Sequence, residues 1–252
     1  MKILYLECGM GASGDMLTAA LLELLPDPAA FLEKINSILP QGVKIAATSC
    51  IKCGIHGTRA IVTIDGAEEG ATQPNTHHVI KHSDTRLADI EETISHMNLP
   101  EKVCDDVRSV YSLIANAEAT VHGTAVTEIH FHEVGSLDAI ADITAVSMLM
   151  NEISADRVIS SPICVGNGYV RCAHGVLPVP APATAEILRG VPLYGGNINS
   201  ELCTPTGAAL LRHFVTEFAR LPLMKISKIG YGMGKKDFER ANCLRAMVGE
   251  SL

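Results

Sequence analysis

The sequence predicts an α/β fold: a layered α/β sandwich with a mixed sheet and a flexible, His-containing insert. Three observations carry that prediction. β-branched apolar runs alternate with helical segments along most of the chain, the arrangement in which helices cover a sheet. Hydrophobic residues make up 47% of the 252, yet aromatic ones only 4% with no Trp, so the core must be aliphatic. Glycine-rich turns such as "GMGASG" (9–14) sit where a strand hands over to a helix.

The elements follow in order. Residues 2–8 read as a short strand, and an apolar helix runs from about Ser13 to Leu25, stopped by Pro26-Asp27-Pro28. A second helix fits 29–38. The β-branched runs 43–52 and 56–65 flank Cys53-Gly54 and read as a hairpin. Residues 65–84, "DGAEEGATQPNTHHVIKHSD", mix Gly, Pro, acids and His77, His78 and His82 without periodicity, and are expected to be the flexible insert. Helices are expected over 85–97, with Asp84 as cap, and over 100–122, with Pro100 in the first turn. "TEIHFH" reads as extended, and a helix then runs to about Ile153. A strand over 157–165, a Gly and Pro-rich connection and a helix near 181–189 come next. A short strand, a helix from Pro205 to about Phe218, and strands near 224–230 and 242–248 complete the chain. No internal repeat is visible.

Composition narrows the function classes. A formal charge of −8 excludes a broad nucleic-acid footprint and suits a protein that handles cations or small molecules. The start meets Glu7 before any signal-peptide apolar region is complete, and the most apolar helix, near 137–150, is too short to cross a bilayer. A cytoplasmic protein with eight reduced cysteines is therefore expected, with neither membrane nor nucleic acid as partner. Cys50-x-x-Cys53 lacks a second CxxC and falls in a strand, which favours a structural role.

Five stretches could carry chemistry. In "ECGMGASGDM", Gly9, Gly11 and Gly14, with Ser13, match a dinucleotide fingerprint whose helix start could cradle a phosphate. The acidic residue expected about twenty positions on would fall near Glu33, inside a helix, and Asp15 repels an anion. A mononucleotide phosphate contact and a plain tight turn both remain open.

In "HFHEVGSLDAIAD" (130–142), an extended "TEIHFH" puts Glu128, His130 and His132 on one face. A helix capped by Ser136 puts Asp138 and Asp142 four apart on one face of an apolar segment, where carboxylates need partners. His130, His132, Glu133, Asp138 and Asp142 together suit a borderline divalent ion such as Ni, Zn, Co or Mn.

In "CAHGVLPVPAPAT", alternate prolines stiffen the segment holding His174, a general base, a ligand or a hydrogen-bonded loop residue. In "CTPTGAALL", Thr204 caps a helix whose free amides and Thr206 hydroxyl could hold a phosphate or carboxylate. In "GYGMGKKD", Gly230, Gly232 and Gly234 precede Lys235 and Lys236, which either meet an anion or stand solvated on a turn.

The order of these pieces says more than any one of them. "YLECGMGASGDML", "HFHEVGSLDAIADI", "CAHGVLPVPAPAT", "TPTGAALL" and "GYGMGKKDF" followed by "NCLR" resemble, in the same order over nearly the whole chain, the LarC family of nickel insertion proteins. The resemblance implies a lyase-class, CTP-dependent chelatase. It would insert Ni(II) into pyridinium-3,5-bisthiocarboxylic acid mononucleotide to form the nickel-pincer cofactor of lactate racemase and related enzymes. It implies as partners that mononucleotide, the family's C-terminal part, which binds CTP with Mg(II) or Mn(II), and the nickel-pincer enzyme; a homo-oligomer is left open. Two departures are visible. The insert has only "THHVIKHS" where many relatives carry a polyhistidine run, and the sequence stops at Leu252, so it resembles the N-terminal portion, residues 1–252, alone. Two other readings are a non-catalytic metal-binding or scaffold module, and a nucleotide-dependent α/β enzyme using the glycine turn.

Overall fold

The computed structural model describes residues 1–68, 85–131, 136–172 and 174–252. Strand β1 (Lys2–Glu7) buries Leu4 and Leu6 on one face and Ile3 and Tyr5 on the other, as a central strand must. Helix α1 (Gly14–Leu22) follows and is buried along almost its whole length. Asp27 caps α2 (Pro28–Ile38), accepting from the Ala30 N–H at 3.0 Å, with Pro28 in the first turn where no donor is missed.

β2 (Val43–Lys52) and β3 (Ile55–Ile64) pair in unbroken antiparallel register. They are joined at Cys53 and Gly54, whose φ values of 50° and 79° are those of a type I′ turn. A second such turn, Asp65–Gly66, leads into β4 (Ala67–Glu68), which pairs back onto β3. Residues 65–68, expected at the head of the insert, thus belong to the sheet, because Asp-Gly closes a two-residue hairpin. The rest of the expected insert, with His77, His78, His82 and Asp84, lies outside the described residues. After β5 (Thr85–Arg86), helix α3 (Leu87–His96) starts at Arg86, whose backbone N–H donates to Asp89 at 2.8 Å.

Helix α4 (Glu101–His122) ends at Gly123 in the left-handed region. The expected extension of "TEIHFH" is not found: Val126–Glu128 is a 3₁₀ turn, and only β6 (His130–Phe131) is extended, pairing with β5. Glu128 therefore does not share a face with His130; its carboxylate accepts from the Thr124 hydroxyl at 2.9 Å instead. Helix α5 (Leu137–Ile153) is buried from Ala139 onward except at Asp142, Asn151 and Glu152.

The strand expected over 157–165 is broken by Ser161-Pro162 into β7 (Arg157–Ser160) and β8 (Ile163–Cys164), since proline has no N–H for the ladder. The Gly and Pro-rich connection contains an antiparallel pair, β9 (Tyr169–Cys172) and β10 (Gly175–Pro178). Helix α6 (Pro182–Ile187), strand β11 (Leu193–Tyr194) and helix α7 (Pro205–Phe214) come next. Helix α7 stops short of Phe218: Thr216 donates its N–H to Val158 at 2.8 Å, and β12 (Glu217–Phe218) pairs with β7. β13 (Met224–Met233) and β14 (Cys243–Ser251) close the chain.

The main sheet has the order β12-β7-β1-β14-β13-β3-β2, with β4 beside β3, and mixes parallel with antiparallel pairs. Helix α1 lies across β13, β3 and β14, and α5 lies against α1 and the β2–β3 hairpin. Helix α4 forms an outer layer on α5, α6 and α7. Among the described residues no helix is long and apolar enough to cross a membrane.

The alternating glycines of β13 explain how α1 comes so near the sheet. A Cβ on Gly230 would run into the Ala20 carbonyl oxygen, and one on Gly232 into that of Met16, both backbone atoms of α1 that cannot swing aside. Gly232→Ala should therefore cost at least about 2 kcal/mol through overpacking. Gly54→Asn, in a turn with nothing within 4 Å of the added Cβ, should stay within about 0.5 kcal/mol. Thermal unfolding of the two variants beside the parent checks both; equal losses would contradict the packing argument.

Candidate functional site

The starts of α1 and α7 lie side by side because the chain before each is bonded to the other. Ala12 donates its N–H to the Leu202 carbonyl and accepts from the Thr204 N–H, each at 3.0 Å, forming a parallel bridge between Ala12 and Cys203. Gly207 sits where a Cβ would strike the Ala12 carbonyl. Gly11 has φ +79°, and its Cβ position is filled by the Leu202 carbonyl. The Gly11 N–H bonds to Cys8 at 3.0 Å. The amides of Gly11 and Ala12 are thus bonded within the protein, ahead of the α1 start. Gly9, Gly11 and Gly232 line none of the clefts described next.

In front of the paired helix starts is a cleft of about 290 Å³. Ser13, Gly14 and Asp15 of α1's start and Thr204 and Thr206 of α7's start meet Asp138 and Asp142 of α5 there. Arg59 and Glu68 from the β-hairpins, Glu201 and Lys235 complete the polar lining. Thr204 caps α7 by accepting from the Gly207 N–H at 3.2 Å. The hydroxyls of Ser13 and Ser136, each preceding a helix, donate to Asp15 and Asp138 respectively. Gly14 is the contact between α1 and α5, since a Cβ there would overlap the Asp142 carboxylate.

Two smaller spaces adjoin this cleft. One, of about 190 Å³, lies along Gly234, Lys235, Lys236 and Asn242 and shares Ser13, Asp15, Glu201 and Thr204 with the cleft. The other, of about 140 Å³, gathers His122, His130, His174, Cys172 and Glu118, and shares Glu201 and Pro205. The His122 and His174 rings have centroids 4.8 Å apart, and His122 stands 3.4 Å from Glu118. Among the described residues, His130 Nδ1 is buried with no hydrogen-bond partner.

The sequence-predicted residues thus fall mostly in three connected spaces. Asp138 and Asp142 share the cleft, whereas His130 and His174 line the neighbouring space; His132 and Glu133 lie outside the described residues. Among the described residues no three His, Cys, Asp or Glu side chains stand together at metal-holding distance. Sequence reasoning missed Arg59, Glu68, Glu201 and His122. Arg59 sits mid-strand and Glu201 three residues before a cap, positions whose patterns carry no chemical signal; only the pairing of distant segments brings them to the cleft.

Burial shifts several ionisable groups around the cleft. Burial pushes Asp15 up from its ordinary value, against the opposing pull of the Ser13 hydroxyl, the Met16 N–H and Arg59. Tyr111, buried in α4, is held well above the usual phenol range by burial and then by the charges of Asp138 and Asp142, so it remains a donor beside them. Cys8, at about 12, and Cys203, higher still, are pushed up by burial and stay thiols rather than ligating thiolates.

Comparisons with known proteins agree on one family. The nickel insertion protein model matches residues 4–252. The chain is similar to the pyridinium-3,5-bisthiocarboxylic acid mononucleotide nickel insertion proteins of Geobacillus kaustophilus (41% identity) and Clostridium kluyveri (40%), covering 99% of this chain and 60% and 62% of theirs. That of Acetivibrio thermocellus is 37% identical over the whole chain and 61% of its own length. The chain therefore spans about three fifths of the length of these curated relatives. No solved structure matches it.

A consequence for stability follows from Asp15. Its raised value means the ionised carboxylate is disfavoured in the fold, so stability is fully present below its ordinary value of 3.8 and is lost as pH rises through the raised one. Asp15→Asn should therefore melt higher than the parent at pH 8, with the gain shrinking toward pH 4. Melting curves over that range check it; a pH-independent difference would contradict the desolvation of Asp15.

Proposed function

The chain belongs to the nickel insertion protein family, and on that premise we propose that it takes part in inserting Ni(II) into pyridinium-3,5-bisthiocarboxylic acid mononucleotide to form a nickel-pincer cofactor. The observation that supports this most is the cleft itself. Carboxylates that suit a divalent ion face two cations and two helix starts that suit a phosphate, and an imidazole-rich space opens beside it. A mononucleotide that must meet a metal needs both kinds of wall.

In this reading Ni(II) is cargo: Asp138 and Asp142 offer it oxygen donors in the cleft and His130 offers a nitrogen donor from the adjoining space, groups that the ion itself must draw together. Such donors grip a borderline ion less firmly than sulfur does, so transfer to the two thiocarboxylate sulfurs runs downhill by ligand exchange. Forming the nickel–carbon bond displaces a proton from the pyridinium carbon. His174, exposed at the rim of the imidazole-lined space, accepts that proton. Thr206 and Lys235 assist at the phosphate end. We assign CTP with Mg(II) or Mn(II) to the part of the relatives beyond the matched span. We place the reaction in the cytoplasm, with a nickel-pincer enzyme receiving the product.

Incubation with Ni(II), desalting and elemental analysis test the cargo site. Asp138→Asn/Asp142→Asn and His130→Ala should each retain about tenfold less nickel than the parent. Unchanged retention in all of them removes the metal assignment. His174→Ala should keep its nickel yet slow insertion by about a hundredfold or more. The assay supplies the sulfur-bearing mononucleotide, the C-terminal part, CTP and Mg(II), and reads the product's absorbance.

A further inference from the structure

Two cations from distant parts of the chain converge on one carboxylate at the rim of the cleft. Arg59, on β3, pairs through its guanidinium with Glu68 Oε1, and Lys235 Nζ, in the loop after β13, stands 3.4 Å from the same oxygen. All three side chains line the cleft. Glu68 leaves the guanidinium incompletely paired: among the described residues Arg59 Nε is buried with no hydrogen-bond partner. A guanidinium presents its donors as a planar fork that matches the oxygens of a phosphate or carboxylate.

The loop that carries Lys235 is fixed from behind. The Lys52 ammonium, itself buried, donates to the Lys236 carbonyl at 2.9 Å and pairs with Asp237. Asn242 Nδ2 donates to the same carbonyl, also at 2.9 Å. Lys235 is thus held toward Arg59 by a braced backbone rather than left on a loose turn. The remaining charges facing the pair are acidic: Asp15 beside Arg59, then Asp138, Asp142 and Glu201 across the cleft. Those carboxylates repel an isolated small anion, and favour one that arrives as part of a ligand contacting the rest of the cleft.

We propose that Arg59 and Lys235 form a phosphate-monoester subsite, and that Glu68 closes it by occupying the position of the phosphate until a ligand displaces it. Glu68 is suited to leave, because it lies in a two-residue strand that, among the described residues, pairs with β3 alone. The identity of the ligand as a mononucleotide rests on the function proposed above; the subsite itself requires only a phosphate monoester.

The sign of one substitution separates this from a merely structural salt bridge. Calorimetric titration of the purified chain with nicotinate mononucleotide, a pyridinium phosphate monoester, is the measurement, with the corresponding nucleoside and inorganic phosphate as further arms. Glu68→Gln should bind the mononucleotide several-fold tighter than the parent, because the cations lose their internal competitor. Arg59→Met and Lys235→Met should each bind it about tenfold more weakly. The nucleoside should not distinguish the four proteins, and inorganic phosphate should compete with the mononucleotide only at far higher concentration, since the surrounding carboxylates repel a free anion. Should Arg59→Met fail to fold, the half-exposed Lys235→Met carries the test with melting temperature as control.

Weaker binding by Glu68→Gln, or no binding by either the parent or Glu68→Gln, overturns the proposal. So does equal binding by the parent and both cation variants. Nickel retention measured in the same proteins should be unchanged. It separates failure of this subsite from failure of the cargo site, which would show as nickel retention indifferent to Asp138 and Asp142.

Discussion

Three glycines let neighbouring elements close on α1 and the chain just before it, and the rest of the molecule is arranged around those contacts. Gly232 brings β13 onto the Met16 carbonyl, Gly207 brings α7 onto the Ala12 carbonyl, and Gly14 brings α5 onto α1 through Asp142. A methyl group at any of these positions would push apart two elements at or behind the cleft. Close packing leaves such a site no slack, because interiors at crystal-like density transmit a misfit rather than absorb it. Gly11 and Gly14, two of the three glycines that look like a nucleotide fingerprint, are in the fold the points where Leu202 and Asp142 close on the start of α1.

That convergence sets the electrostatics. Two helix starts bring partial positive charge to the cleft, and Arg59 and Lys235 bring full charges, while Asp15, Asp138, Asp142, Glu68 and Glu201 more than balance them. Such a surface is poor for a simple anion and for a simple apolar ligand. It suits a ligand carrying an anionic group and meeting a cation at its other end. Tyr111, kept protonated behind Asp138 and Asp142, adds a donor to that acidic wall without adding charge. Under the proposed function, oxygen and nitrogen donors of moderate strength would let the metal pass on, since a tighter site would keep it.

Much of the layout was legible along the chain. The β2–β3 hairpin, α2 with its Asp27 cap, α4 with Pro100 before it, α7 with its Thr204 cap, and the final two strands all follow from local rules acting over a few residues. The misreadings share a cause. "TEIHFH" alternates as a strand would, yet the turn after Gly123 and the Thr124–Glu128 bond draw its first half into a 3₁₀ turn. Residues 65–68 carry an Asp-Gly turn that pairs with a strand already described, a partnership invisible without register. The run 157–165 reads as one apolar strand, but its two halves join different partners, β1 and β12 on one side of Pro162 and β11 on the other.

The sequence by itself determined the family, the helix starts, the turns and the presence of Asp138 and Asp142 on one face of an apolar helix, because each depends on neighbours within a turn or two of chain. Only the tertiary structure decided which chemical groups meet. Arg59 lies 176 positions from Lys235 in sequence, yet the two share one oxygen of Glu68. Likewise His122, His130 and His174 come from a helix end, a two-residue strand and a hairpin turn, and line one space. The physical reason is that local propensity fixes the direction of a side chain relative to its own element, whereas the site is set by how those elements pack, and here that packing turns on glycines whose role appears only when another backbone is seen lying against them.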